Sequence, residues 1–154
     1  TIPVFADAMT VQAATGWHTT EVVRFAEGGA VEDLPAGTNN PDGDLVIVCP
    51  LTKGGEPLKT RVSIAAGEAA RRLRDAGKLD RKLYDAALRE ANVKAGFKVG
   101  TVSGGKFRHS VATWAINRGA SPKDVSAFLG HKSERTTKKF YATHAIPTKV
   151  PTLV

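Results

Sequence analysis

From Ala66 to Gly130 the chain repeats one pattern: an apolar stripe at helical spacing, closed by a glycine. Ala66, Ala69, Ala70 and Leu73 recur at i, i+3, i+4 and i+7, and Gly77 follows. Tyr84, Ala87, Leu88 and Ala91 repeat the stripe up to Gly96. Phe107, Val111, Trp114 and Ala115 mark a third buried face, ending at Gly119. Ser121 as N-cap, with Pro122 at the first helical position, opens a further helix that stops at Gly130. Such starts and stops follow from the orphan backbone groups at helix ends and from the left-handed conformation that glycine tolerates. Ser133 caps a last helix running through Tyr141.

The first third of the chain reads differently. Phe5 to Phe25 forms two helical stretches broken near Thr15-Gly16, and Gly28-Gly29 and Leu34 to Asp44 are loop. The apolar run Leu45-Val46-Ile47-Val48-Cys49, bounded by Asp44 and Pro50, is a strand. Lys53-Gly54-Gly55 is turn chemistry, after which Arg61, Val62, Ser63 and Ile64 alternate polar and apolar and pair back as a hairpin. The expected class is therefore mainly α with a small antiparallel β-hairpin or sheet, an α+β arrangement. Residues 1–145 form one domain, and Ile146 to Val154, with two prolines, is an extended tail.

Composition narrows the function classes. A chain of 154 residues with 42% hydrophobic and 24% charged residues is globular, and it buries roughly 70% of its unfolded surface without a staple. The single Cys49 excludes an intramolecular disulfide and a cysteine-rich zinc site. No apolar run approaches the roughly 18 residues a membrane span needs, and Thr1-Ile2-Pro3 does not open a secretory signal. The missing initiator Met suggests a processed chain or a piece of a longer one. Lys and Arg number 22 against 15 Asp and Glu, so the net charge of +7 favours a polyanionic partner.

Three segments then carry the functional reading: Phe107-Arg108-His109-Ser110-Val111-Ala112-Thr113-Trp114, Leu129-Gly130-His131, and Thr136-Thr137-Lys138-Lys139-Phe140-Tyr141. In this order they resemble the C-terminal signature of the tyrosine recombinase, or phage integrase, family: an Arg opening a helix, Leu-Gly-His, then a Tyr nine or ten residues on. Tyr141 stands ten residues after His131. Upstream, Thr15-Gly16-Trp17-His18-Thr19-Thr20-Glu21 resembles the family's first box, Thr-Gly-x-Arg-x-x-Glu, and Lys53 its hairpin lysine. The resemblance spans Phe5 to His144.

The resemblance implies breakage and rejoining of DNA through a 3′-phosphotyrosine, with no metal and no cofactor. Tyr141 would attack the scissile phosphate, Arg108 would hold its non-bridging oxygens by a planar fork, and His131 would donate a hydrogen bond to it. Lys53 would protonate the leaving 5′ oxygen. Lys106, Lys132, Arg135, Lys138 and Lys139 are the further DNA-binding candidates. The implied partners are double-stranded DNA and further copies of the chain in a tetramer, with the tail reaching a neighbouring protomer. The implied setting is a DNA-associated cytoplasmic protein of prokaryotic or viral origin.

Two positions depart from the family pattern. His18 stands at the first-box Arg, and Gly105 stands where a His precedes the second Arg by three residues. Losing one preorganised donor costs about 10²–10³ in rate, or ~2.7–4 kcal/mol. Lys106 is a replacement cation, whereas Arg24 points elsewhere. Each residue alone also has an ordinary reading: Tyr141 as a packing aromatic, His131 complementing a helix C-terminus, Arg108 and Lys53 as solvated charges, Trp17 and Trp114 as core, and Arg71-Arg72-Leu73-Arg74 as a solvated face. A competing class reads Pro122 to Tyr141 as a helix-turn-helix whose second helix enters the major groove of DNA. A recombinase-like domain that binds DNA without cutting is an intermediate reading.

Overall fold

A computed structural model describes residues 2–52, 54–98, 100–130 and 146–154. Helix α1 (Ile2–Thr15) and helix α2 (Thr19–Gly28) are followed by strands β1 (Ala30–Asp33), β2 (Leu45–Cys49) and β3 (Leu58–Val62). Helices α3 (Ile64–Ala76), α4 (Arg81–Lys94), α5 (Lys106–Asn117) and α6 (Pro122–Leu129) complete the described elements. The mainly helical class with a small antiparallel sheet is thus observed. The expected helix from Ser133 through Tyr141 lies outside the described residues.

The sheet has three strands in the order β1-β2-β3, all antiparallel, rather than a bare hairpin. Ala30–Asp33 carries one large apolar residue, Val31, so a polar edge strand leaves little hydrophobic signal. β2 sits in the middle and is buried along almost its whole length, as its continuous apolar run requires. β3 lies earlier than the alternation suggests. Leu58, Thr60 and Val62 face inward, and Ser63 leaves the strand because its hydroxyl caps α3 by accepting from the Ala66 backbone N–H at 3.2 Å. Ile64 therefore opens a helix and is 54% exposed.

Helix ends follow the capping residues. Asp80 accepts from the Leu83 N–H at 3.0 Å and Ser121 from the Asp124 N–H at 3.1 Å. The stripe of α3 is buried as read, but α4 differs: Tyr84 and Leu88 are inside, Ala91 is exposed, and Asn92 is buried. The Asn92 carboxamide donates to the Leu88 and Val102 carbonyls and accepts from the Val102 N–H, pinning the loop that leads to α5. Trp114 is not core. It is exposed, and the Arg118 guanidinium lies over its ring at 3.1 Å from the centroid.

Two apolar clusters result. The larger joins α1, α2, the sheet, α3 and α4 around Trp17, Phe25, Ile47, Leu73 and Tyr84. The smaller consists of Val111 and Ala115 of α5, Val125, Phe128 and Leu129 of α6, and Val150 of the tail. Residues 146–154 carry no helix or strand and seat on their own chain. Val150 is buried, the Leu153 N–H donates to the Ala13 carbonyl at 3.3 Å, and the Lys149 ammonium meets Asp44 at 2.9 Å.

Candidate active site

Arg108 lies in the first turn of α5 and is half-buried. One guanidinium nitrogen donates to the Leu129 carbonyl at 2.7 Å, and the other terminal nitrogen donates to the Gly16 carbonyl at 3.3 Å. Leu129 ends α6, so the cation also meets the negative end of that helix dipole. Gly16 belongs to the turn between α1 and α2. Its φ of +70° suits glycine, and a Cβ there would stand 2.5 Å from Leu129 Cδ2 and 3.3 Å from Val111 Cβ. Close approach of three backbones thus brings the turn at Gly16, the start of α5 and the end of α6 to one guanidinium, although 92 residues separate Gly16 from Arg108.

A second polar junction lies beneath this one. Gln12, fully buried in α1, donates from its amide to the Trp17 carbonyl at 3.0 Å and to the Gly104 carbonyl at 3.3 Å. It accepts from the Tyr84 hydroxyl at 2.6 Å. Trp17 precedes His18, and Gly104 precedes Gly105, so this carboxamide ties both altered positions to the core. A Cβ at Gly104 would collide with the Thr19 hydroxyl, so the starts of α2 and α5 touch. Sequence reading missed Gln12 and Asn92. The available signal was a polar side chain interrupting an apolar helical stretch.

His18 is half-buried at the N-cap position of α2. Its carbonyl accepts from the Glu21 and Val22 N–H groups at 3.0 and 3.2 Å, while its side chain does not cap the helix. Gly105 is the exposed N-cap of α5, and a Cβ there would meet nothing within 4 Å. Lys106 is exposed and its ammonium sits on the Gly100 carbonyl. Arg24 does point elsewhere, donating to the Leu51 carbonyl at 3.1 Å. The basic run of α3 is not merely a solvated face. Arg71 pairs with Glu68, Arg72 clamps Asp7, and Arg74 donates to the Gly29 and Ala26 carbonyls.

Tyr141, His131, Lys53, Lys132, Arg135, Lys138 and Lys139 lie outside the described residues. Their surroundings are described: α6 ends at Gly130 with φ +71°, and the turn around Lys53 is closed by the Thr52 N–H and hydroxyl, both donating to the Glu56 carbonyl at 2.9 and 2.7 Å. The chain has two tyrosines. Tyr84 is fully buried, burial pushes its phenol far above the ordinary range, and its hydroxyl is committed to Gln12. It therefore serves the scaffold. Among the described residues no three His, Cys, Asp or Glu side chains gather at one point. No helix among them is long and apolar enough to cross a membrane.

Comparison with protein-family models matches residues 56–146 to the phage integrase family. The match contains Arg108, His131 and Tyr141, and leaves His18 and Lys53 outside it. Neither the curated proteins nor the solved structures compared with the chain matched it. The matched span is more than half of the 154 residues, and the described fold is the mainly helical, small-sheet arrangement expected of an integrase catalytic domain. The chain belongs to the phage integrase family, the tyrosine recombinases that carry out DNA recombination and integration.

Proposed function

We propose that this domain breaks and rejoins DNA strands through Tyr141. The phenol gives its proton to water, its oxygen attacks the scissile phosphorus, the bond to the 5′ oxygen breaks, and Lys53, as the ammonium, protonates that oxygen. The product is a 3′-phosphotyrosine diester plus a free 5′-hydroxyl. One diester has replaced another, so attack by a 5′-hydroxyl reverses the step without an external energy source. Arg108 and His131 hold the non-bridging oxygens, and His18 faces the same phosphate as a hydrogen-bond donor. Free Tyr has a pKa near 10, so the positive charge of these groups has to lower it and favour the phenolate. Lys106, Lys132, Arg135, Lys138 and Lys139 contact the flanking backbone, and recombination proceeds in a tetramer on two DNA sites in the cytoplasm.

One observation carries the reading: Arg108 bonds at once to the carbonyls of Gly16 and Leu129. That contact draws the first-box turn, the second-box helix and the residue two before His131 to a single place. Charge placed beforehand where a transition state will develop it needs no rearrangement during reaction, and much of the rate enhancement of enzymes comes from such placement. A helix-turn-helix regulator would leave that convergence without a purpose.

A nicked suicide duplex incubated with the protein and run on a denaturing gel tests the reading. A shifted covalent band that vanishes in Tyr141→Phe is expected. Tight duplex binding with no covalent band would instead favour the binding-only form, for which the open space at Gly105 is the supporting observation. His18→Arg then separates the cases, because a band found only in that variant marks a disabled recombinase.

A further inference from the structure

Between α4 and the loop before α5 lies a cavity of about 320 Å³, walled by Thr19, Arg81, Asp85, Arg89, Gly104 and Gly105 among others. Arg81, Asp85 and Arg89 are spaced i, i+4, i+8, so they share one face of α4. The Arg81 guanidinium is fixed by donating to the Thr20 hydroxyl at 3.2 Å. Arg89 differs from every other described arginine. Arg24, Arg74 and Arg108 hold carbonyls, Arg61, Arg71 and Arg72 hold carboxylates, and Arg118 covers Trp114. Among the described residues Arg89 has no hydrogen bond or ion pair, although Asp85 is one turn away on the same face.

The cavity also borders the start of the helix that carries Arg108. Gly105 forms part of its wall without a side chain, and Arg108 stands three residues on, one turn further along the same face of α5. Thr19 and Gly104 form the adjoining wall, next to His18. Lys106, on the Gly100 carbonyl, adds positive charge at this rim. Two guanidinium groups against one carboxylate leave the cavity net positive, at the place where positions 18 and 105 lack the family's cation and imidazole.

We propose that this cavity binds a backbone phosphate of DNA neighbouring the one held at Arg108, with Arg89 as its ion-pairing contact and Arg81 as its fixed flank. The inference rests on the DNA-recombining reading above. It adds a phosphate contact that the sequence boxes do not contain, and it supplies through α4 a charge that the first box does not.

The test is duplex binding by the full chain as a function of salt, using a labelled duplex. Each neutralised phosphate contributes about 0.9 to the slope of log affinity against log salt. Arg89→Ala is expected to lower the slope by about 0.9 and to weaken binding about tenfold at 0.1 M salt. Arg89→Lys should keep the slope, and Arg71→Ala, whose guanidinium is held by Glu68, should leave it unchanged. An unchanged slope in Arg89→Ala, with a circular dichroism spectrum like the wild type, overturns the proposal while leaving the recombinase reading intact. Absence of duplex binding by the wild-type chain sinks that reading as well. Loss of inorganic phosphate binding in Arg89→Ala, without a change in the duplex slope, would assign the cavity to a free anion and overturn the DNA assignment.

Discussion

Replacing Gln12 with leucine keeps the side-chain volume close to native and removes only the polar atoms. Three partners are then stranded: the Tyr84 hydroxyl, and the carbonyls of Trp17 and Gly104. Gln12 and Tyr84 are both fully buried, so water does not reach the hydroxyl without opening the core. A buried polar group left without a partner costs about 1–3 kcal/mol. The two carbonyls each have a second lone pair, so the total expected is ~2–4 kcal/mol, most of it from Tyr84. For a chain of this length that corresponds to a fall in melting temperature of roughly 4–16 °C. Urea unfolding followed by circular dichroism gives the free energy directly, with an unchanged m-value showing that the denatured state is not altered.

Tyr84→Phe in the Gln12→Leu background removes the stranded hydroxyl. The double variant should therefore lose less than the two single losses added together, with a coupling of about 1–2 kcal/mol. The folded fraction of Gln12→Leu should also form the covalent DNA complex more slowly, on the order of 10²-fold, because the carbonyls released hold His18 and Gly105 in place. A Gln12→Leu variant within about 0.5 kcal/mol of wild type, or strictly additive losses in the cycle, would refute the assignment of this carboxamide as the anchor.

Gly16→Ala places a methyl against Leu129 and Val111 at a positive φ, and should destabilise by ~2–4 kcal/mol, read by urea unfolding. Arg108→Lys cannot span the Gly16 and Leu129 carbonyls with a planar fork, so it should lower the melting temperature and abolish the covalent band despite the kept charge. Burial alone would push the Asp44 carboxyl up, but hydrogen bonds from Lys149 and Arg61 outweigh it and hold the group below the usual carboxylate range. Stability from a carboxylate held low is present above its unfolded value near 3.9 and is lost as pH falls through the folded value. Lys149→Met should therefore lower the melting temperature near neutral pH, and the difference should shrink as pH falls below the ordinary carboxylate range. Burial pushes the Cys49 thiol up to about 11, so a thiol reagent at about pH 8 should label it slowly in the native protein and quickly in urea. Rapid native labelling would contradict the buried position of Cys49 in β2.

Local signals located most of the fold because the same residues act locally. Ser121, Pro122 and Gly130 bracket α6 through bonds within a few positions, and Leu45 to Cys49 is apolar throughout because both of its faces are covered. The errors arise where a distant partner decides. Ser63 belongs equally to an alternating strand and to a helix cap, and only the accepted Ala66 N–H settles which. Trp114 fits an apolar stripe, yet its face of α5 is exposed and meets Arg118 instead of a helix. Asn92 breaks a stripe and is nevertheless inside, because the loop at Val102 brings a matching N–H and carbonyl.

Arg108 shows how site and scaffold share one group. A half-buried guanidinium is costly unless hydrogen-bonded, and two backbone carbonyls from separate elements satisfy part of that requirement. Those carbonyls also fix the orientation of the planar fork, so on the proposed reading it is set before a phosphate binds. The turn at Gly16 needs a residue without a Cβ, Leu129 must end its helix at that point, and α5 must start where it places Arg108 in its first turn. Boxes that read as separate motifs along the chain are thus the three sides of one geometric requirement. A cation built into the framework in this way offers charge without reorganisation, and on the proposed reading that is what the charge developing at a phosphodiester requires.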